Sequence, residues 1–227
     1  SSINIFQKGA SWADWTQVEK IVPPGSLFKR TWGFGTHISF SKSVMATMAI
    51  VDNSYSRGIR NSLFIYEKGA GGWEYKQNII LREAKKIQDI LASPIDVLGE
   101  TILITDYEAY IVEKDDTGNW DIRAKLSDNS RNYLNRFAHS VILTDSLAYV
   151  GAMFANRGVR NSGAVYVFER DGENWVDSYE PIVIEPSEKS ENMHFGAAIQ
   201  LFDNKLAVGA HRSQYFFGLQ GYTGDQA

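Results

Sequence analysis

Residues 137–152 read FAHSVILTDSLAYVGA and residues 195–210 read FGAAIQLFDNKLAVGA. Each stretch opens on a phenylalanine and places apolar residues at every second position, Val141 and Leu143 in the first and Ile199 and Leu201 in the second. Each then turns, at Thr144-Asp145-Ser146 or Asp203-Asn204-Lys205, and returns through small and branched residues ending in Val-Gly-Ala. Alternation with period two marks a half-buried strand, and a short polar turn between two such runs marks a hairpin. The pattern occurs twice more. Phe34 leads to Ile38, Phe40 and Thr47-Met48-Ala49, and Leu91 leads to Ile95, Val97 and Ile104-Thr105-Asp106.

Two further strands follow each hairpin. The third reads Ala164-Val-Tyr-Val-Phe168, Leu63-Phe-Ile-Tyr66 or Tyr110-Ile-Val112, and the fourth starts at a tryptophan after a glycine turn, as in Gly172-Glu-Asn-Trp175 and Gly118-Asn-Trp120. Trp15, Trp73, Trp120 and Trp175 hold one position of the repeat. Four antiparallel strands per repeat predict an all-β protein, a β-propeller of four-stranded antiparallel blades, where a solenoid would show one or two elements per repeat. The chain reads as a single propeller domain over 1–227, with about four blades, approximately 34–83, 87–127, 137–186, and 195–227 completed by 1–24. Residues 1–24 hold a third and a fourth strand without a first pair, and 195–210 hold a first pair. Pairing the N-terminal with the C-terminal strands is therefore expected to close the ring and remove exposed edges.

Phe195-Gly196, Leu206-Ala-Val-Gly-Ala210, Asn161-Ser-Gly-Ala-Val-Tyr-Val-Phe168 and Gly172-x-x-Trp175 together resemble the FG-GAP repeat family, which includes the integrin α-chain propeller. The resemblance runs over nearly the whole chain. It implies a non-enzymatic binding or adhesion module, lectin-like in one form, at an extracellular or cell-surface location. Two alternatives stay open: a structural docking subunit of a larger assembly, and an accessory or catalytic propeller of a polysaccharide- or lipid-acting enzyme. Family members often carry an Asp-rich calcium loop between the first two strands. Here Leu143-Thr-Asp-Ser-Leu147 and Phe202-Asp-Asn-Lys-Leu206 each offer one carboxylate, whereas Ca²⁺ takes six to eight oxygens. The metal-free short form of the repeat is expected, with no cofactor.

The 227 residues carry 23 Lys and Arg against 27 Asp and Glu, a net charge of −4, so a general affinity for nucleic acid is not expected. There is no cysteine, hence no disulfide, thiolate metal site or cysteine nucleophile. No apolar run reaches the length of a membrane-spanning helix, and no nucleophile elbow, phosphate loop or His-Glu-x-x-His motif occurs; no catalytic residue is assigned.

Positive charge is nevertheless concentrated. Arg57-Gly-Ile-Arg60-Asn61-Ser62 and Arg157-Gly-Val-Arg160-Asn161-Ser162 are nearly identical and follow the second strand of two blades. Up-and-down strand order places these loops on the same rim as Trp32, Tyr133, Arg136 and Arg212. Forked guanidinium donors beside aromatic rings suit carboxylate, sulfate or phosphate groups, so Arg57, Arg60, Asn61, Arg157, Arg160, Asn161, Trp32, Tyr133, Arg136 and Arg212 form a candidate site for a glycan or an acidic protein surface. The competing reading is structural: Gly58 and Gly158 supply positive φ, Asn and Ser close the turn, and the arginines pair with neighbouring carboxylates. A homo-oligomer or larger complex is compatible with either reading.

Overall fold

The computed structural model describes residues 1–25, 30–53, 58–83, 94–106, 108–127, 137–172, 174–175 and 181–211. Among them every regular element is a strand, and all named strand pairings are antiparallel. β1 (Ile3–Lys8) and β2 (Trp15–Ile21) form a hairpin. β3 (Arg30–Trp32), β4 (Ile38–Phe40), β5 (Val44–Asn53), β6 (Gly58–Gly69) and β7 (Gly72–Glu83) form the second sheet, β3 and β4 both pairing with β5. β8 (Ile95–Leu98), β9 (Thr101–Thr105), β10 (Ala109–Lys114) and β11 (Trp120–Leu126) form the third. The fourth holds β12 (Ser140–Leu143), β13 (Leu147–Ala152), β14 (Ala164–Asp171), β15 (Asn174–Trp175) and β16 (Ile182–Ile184), the last two both pairing with β14. β17 (Phe195–Phe202) and β18 (Lys205–Ala210) form the last hairpin.

Turn chemistry sets the strand ends. The Asp115 carboxylate accepts the backbone N–H of Thr117 at 2.8 Å and of Asn119 at 2.9 Å, which folds the chain back towards Trp120. A bulge recurs at one point of the repeat, between Ile5 and Phe6, Ile65 and Tyr66, and Ile111 and Val112, each time opposite the strand that carries the repeated tryptophan. A bulge increases local twist, so these three sheets bend alike.

The sheets follow one another through their first strands: β4 lies beside β8, β8 beside β12 and β12 beside β17. Polar side chains join these strands. Ser39 accepts the Val97 N–H at 3.0 Å, Asp96 accepts the Leu143 N–H at 2.8 Å, and Ser140 donates to the Gly196 carbonyl at 2.8 Å. Between the sheets lie apolar clusters. One joins Ile3 and Ile21 to Phe34, Met45 and Phe64, a second joins Val44 and Ile65 to Ile102 and Trp120, and a third joins Leu103 and Ile111 to Phe137 and Phe168. Phe34 meets Phe64 and Tyr66 edge-on at 5.7 and 6.2 Å, and Phe137 meets Tyr166 and Phe168 edge-on at 5.4 and 6.2 Å, so the phenylalanine that opens the repeat does the same packing in both units.

The expected pairing of the two chain ends is not formed. Among the described residues β1 pairs with β2 and β17 with β18, in two separate two-stranded sheets, and Phe195 of β17 adds a single parallel bridge to Gly163. The first hairpin buries Ile3 and Ile21 against the second sheet, while β17 lies along β12 and β13 of the fourth. No closed ring is formed among the described residues. The expected first strand of the 34–83 unit is β4, and a further short strand, β3, precedes the unit and also pairs with β5, across a turn in which Thr36 donates its N–H to Gly33 O at 3.0 Å. No helix among the described residues is long and apolar enough to cross a membrane.

Candidate functional site

The two arginine motifs share a sequence but not a conformation. Residues 58–62 continue the β6 ladder, because β5 extends far enough to pair Asn53 with Gly58 and Val51 with Arg60. Residues 157–162 follow the shorter β13 and form turns instead. There Asn161 has φ 49° and receives the Asn156 side-chain oxygen on its N–H at 2.8 Å, and the Gly163 N–H donates to Ala155 O at 3.0 Å.

This turn is a seam. The chain returning from the fourth sheet lies on it: the Asn192 N–H donates to Arg160 O at 3.0 Å, the His194 N–H to Asn161 O at 3.1 Å, and the Phe195 N–H to Ser162 O at 3.0 Å. The Asn161 amide donates to the Asn192 side-chain oxygen at 2.8 Å. The Arg157 guanidinium and the Lys189 ammonium both hold the Glu185 carboxylate, and Lys189 also donates to Arg157 O at 3.0 Å. Lys189, then Arg157, hold the Glu185 carboxyl below the usual carboxylate range. Arg160 alone in this turn leaves its guanidinium exposed with no ion-pair partner among the described residues.

In the other motif Asn61 is fully buried and donates to Asp106 of the third sheet at 2.9 Å, and Arg60 is half-buried with its side chain engaged. Trp32 is half-buried against the cluster around Ile50 and Val97. Of the proposed contact residues, therefore, Arg157 and Arg160 come together on one turn, Asn61 and Asn161 serve as inter-sheet fasteners, and Trp32 contributes to packing. Arg57, Tyr133, Arg136 and Arg212 lie outside the described residues. Among the histidines, His194 is 5 % exposed and stacks edge-on with Phe154 at 4.8 Å and beside His211 at 5.3 Å. Burial, then the neighbouring His211, lowers the His194 pKa, favouring the neutral ring.

A second set of charged and aromatic residues lies where the later strands of successive sheets meet, and sequence reasoning missed its carboxylates. The Trp120 indole N–H donates to Glu67 of the preceding sheet at 2.9 Å, and the Trp175 indole N–H to Glu113 of its preceding sheet at 3.3 Å. Each ring is also covered by a cation from its own sheet, Lys114 at 5.4 Å and Arg170 at 5.6 Å. The pairs Glu67-Lys68, Glu113-Lys114 and Glu169-Arg170 stand at one repeat position, a signal available in the sequence. One side of the last junction is a cleft of about 130 Å³ lined by Glu113, Ile122, Arg123, Asn174 and Trp175. It is well below the roughly 300–1,000 Å³ of small-molecule sites, and Glu113 is already occupied by Thr101 at 2.6 Å and by Arg170 at 3.3 Å. No group of three or more His, Asp or Glu among the described residues is placed to hold a metal ion.

The junctions give a pH dependence. Burial raises the Glu67 pKa, but hydrogen bonds from Trp120 and Lys114 and the charges of Lys114 and Lys76 outweigh it, so the folded value lies below the usual one. A depressed carboxyl contributes stability above its unfolded pKa of about 4.3 and loses it as pH falls through the folded value. Glu67→Gln is expected to be less stable than the parent at pH 7, with the difference shrinking below about pH 4. Urea midpoints measured across this range check it, and a difference independent of pH would show that the carboxylate charge has no part.

Compared with known proteins, the chain matches no protein-family model and no curated protein.

Proposed function

We propose that this chain is a β-propeller of FG-GAP-type repeats in its metal-free form, and that it is a non-enzymatic binding module using the loops at one end of its sheets to hold a glycan or an acidic protein segment. The observation that supports the propeller most is the file of first strands, β4 beside β8 beside β12 beside β17, each with its remaining strands leading away from it. A file of first strands of this kind is what the inner wall of a propeller would present, and the recurring phenylalanine, bulge and tryptophan support a repeated blade geometry.

A binding role is favoured over catalysis by the state of the carboxylates nearest the axis and at the junctions. Asp96 is bonded to Ser39 and the Leu143 N–H, and one oxygen of Glu113 to Thr101, Arg170 and Trp175, the pattern of carboxylates that fasten strands and sheets to one another. The exposed guanidinium of Arg160, on a turn held rigid by its neighbours, is the group best placed to meet an anion. A sulfated and carboxylated glycan array tests this reading. Binding should fall with salt, and Arg160→Ala should weaken it up to about fivefold, the equivalent of about 1 kcal/mol for an exposed ionic contact. Retained, salt-independent binding by the variant would remove Arg160 from the site, and no binding to any acidic glycan would favour the docking reading. That second reading has its own support in the exposed apolar side chains of the two end hairpins, Phe6, Trp12, Trp15 and Phe202.

A further inference from the structure

One position of the repeat serves the junction between each sheet and the next. Glu19 of β2, Gln77 of β7 and Ala124 of β11 all lie four residues after the repeated tryptophan, and each pairs with the isoleucine just before the bulge, Ile5, Ile65 and Ile111. The three are therefore equivalent in the fold, and the first two do one task for the sheet that follows. The Glu19 carboxylate accepts the Trp73 backbone N–H at 2.7 Å. Gln77 accepts the Trp120 backbone N–H at 3.0 Å and donates its own amide to Trp120 O at 2.7 Å, a two-point bridge.

At the junction of the third and fourth sheets the methyl group of Ala124 can form neither bond. Trp175 nevertheless has the setting of the other two tryptophans. It stands opposite Arg170 as Trp73 stands opposite Lys68 and Trp120 opposite Lys114, and β15 lies beside β11 as β11 lies beside β7. Opposed residues of an antiparallel pair alternate between bonding each other and facing outward; since the backbone of Trp120 bonds Gln77, this register is the outward one. Here lies the cleft of about 130 Å³ lined by Glu113, Ile122, Arg123, Asn174 and Trp175.

Charge decides what group belongs in it. Glu67 and Glu113 accept the indole N–H of the next tryptophan, and the matching residue of β1 is Gln7. The charged bridging residue, Glu19, thus occurs beside a neutral neighbour, and the neutral one, Gln77, beside a carboxylate. With Glu113 present, a carboxylate in the cleft would stand beside a like charge. Arg123 also lines the cleft, but it is exposed, where water weakens its attraction. A primary amide carries an acceptor and a donor side by side, the pair that the N–H and C=O of one residue require.

We propose that this cleft binds a primary carboxamide in place of the side chain that Ala124 lacks, its oxygen accepting the Trp175 N–H and its N–H donating to Trp175 O. The cleft admits one end group of a ligand rather than a whole one, so the amide is that of a glutamine or asparagine side chain, carried by the free amino acid or by a peptide. The inference rests on the register of the junctions and is independent of Arg160.

The test is amide nuclear magnetic resonance of the isotope-labelled 227-residue chain, titrated with propionamide, propionate, free glutamine, and a glutamine peptide with its glutamate counterpart, both acetylated and closed by an N-methylamide. The Trp175 backbone signal should shift saturably with the amides, and the carboxylate probes should bind at least about tenfold more weakly. A peptide that binds more tightly than free glutamine assigns the amide to a peptide chain, and the reverse order assigns it to the amino acid. Ala124→Gln should abolish the Trp175 response. Gln77→Ala should open an equivalent cleft one junction earlier, so that propionamide shifts the Trp120 backbone signal, which it leaves unmoved in the parent. No Trp175 shift with any amide, equal binding of amide and carboxylate, an undiminished response in folded Ala124→Gln, or a folded Gln77→Ala chain whose Trp120 signal ignores propionamide would each overturn the assignment.

Discussion

Trp120→Ala is expected to lower the stability of the fold by about 3 to 5 kcal/mol, the range for truncating a buried tryptophan. Trp120 is 3 % exposed and packs among Ile65, Ile104 and Val112, at the boundary of the second and third sheets. Its loss opens a cavity between two sheets, leaves Glu67 without the indole donor, and removes the ring beneath Lys114. The Gln77 side chain would still bridge the backbone at 120, because it bonds the N–H and C=O and not the ring, at 3.0 and 2.7 Å. Trp15→Ala at the same repeat position of the exposed first hairpin should cost the isolated monomer less than about 1 kcal/mol. Denaturant titration of the two variants measures the contrast; similar losses would mean that the tryptophan acts within its own hairpin rather than between sheets.

Gly163→Ala is expected to lower stability by about 2–5 kcal/mol. Gly163 has φ +81°, and a Cβ there would stand 2.1 Å from Phe195 O and 2.5 Å from Phe195 N, where the two backbones form a parallel bridge. The left-handed backbone costs an alanine about 1–2 kcal/mol, and the overlap with backbone that cannot swing aside adds about 1–3 kcal/mol. Gly158→Ala is the control: its φ is also +81°, but nothing lies within 4 Å of the added carbon. It should show the conformational cost alone. Thermal midpoints for both variants separate the two terms, and equal losses would show that the seam at Phe195 yields freely.

The repeat was legible because its signals are local. Alternation fixed β12 and β17, the Asp and Ser turns fixed the hairpin ends, and the recurring tryptophan marked the fourth strand. What was not legible depends on partners far along the chain. Arg57 to Ser62 and Arg157 to Ser162 look alike, but 58–62 are drawn into a ladder by a long β5 and 157–162 are not, since β13 ends at Ala152. No propensity within the motif distinguishes them. Asn61 and Asn161 looked like loop residues free to meet a ligand, and each proved to be committed across a sheet boundary, to Asp106 and Asn192. The shared repeat position of the tryptophans was legible, but not that Trp120 and Trp175 are buried while Trp15 is exposed, nor the acceptors Glu67 and Glu113, 53 and 62 residues away. The pairing of the chain ends, expected from complementary patterns, is not formed, because a pattern within each end does not specify the strand it meets.

An experimental structure of the 227-residue chain, by crystallography or cryo-electron microscopy, tests the central claim most directly. The account predicts β4, β8, β12 and β17 innermost around one axis, their sheets radiating outward and the Glu67–Trp120 and Glu113–Trp175 contacts at successive outer junctions. Sheets stacked face to face as a two-layer sandwich, with those four strands no longer side by side, would contradict it.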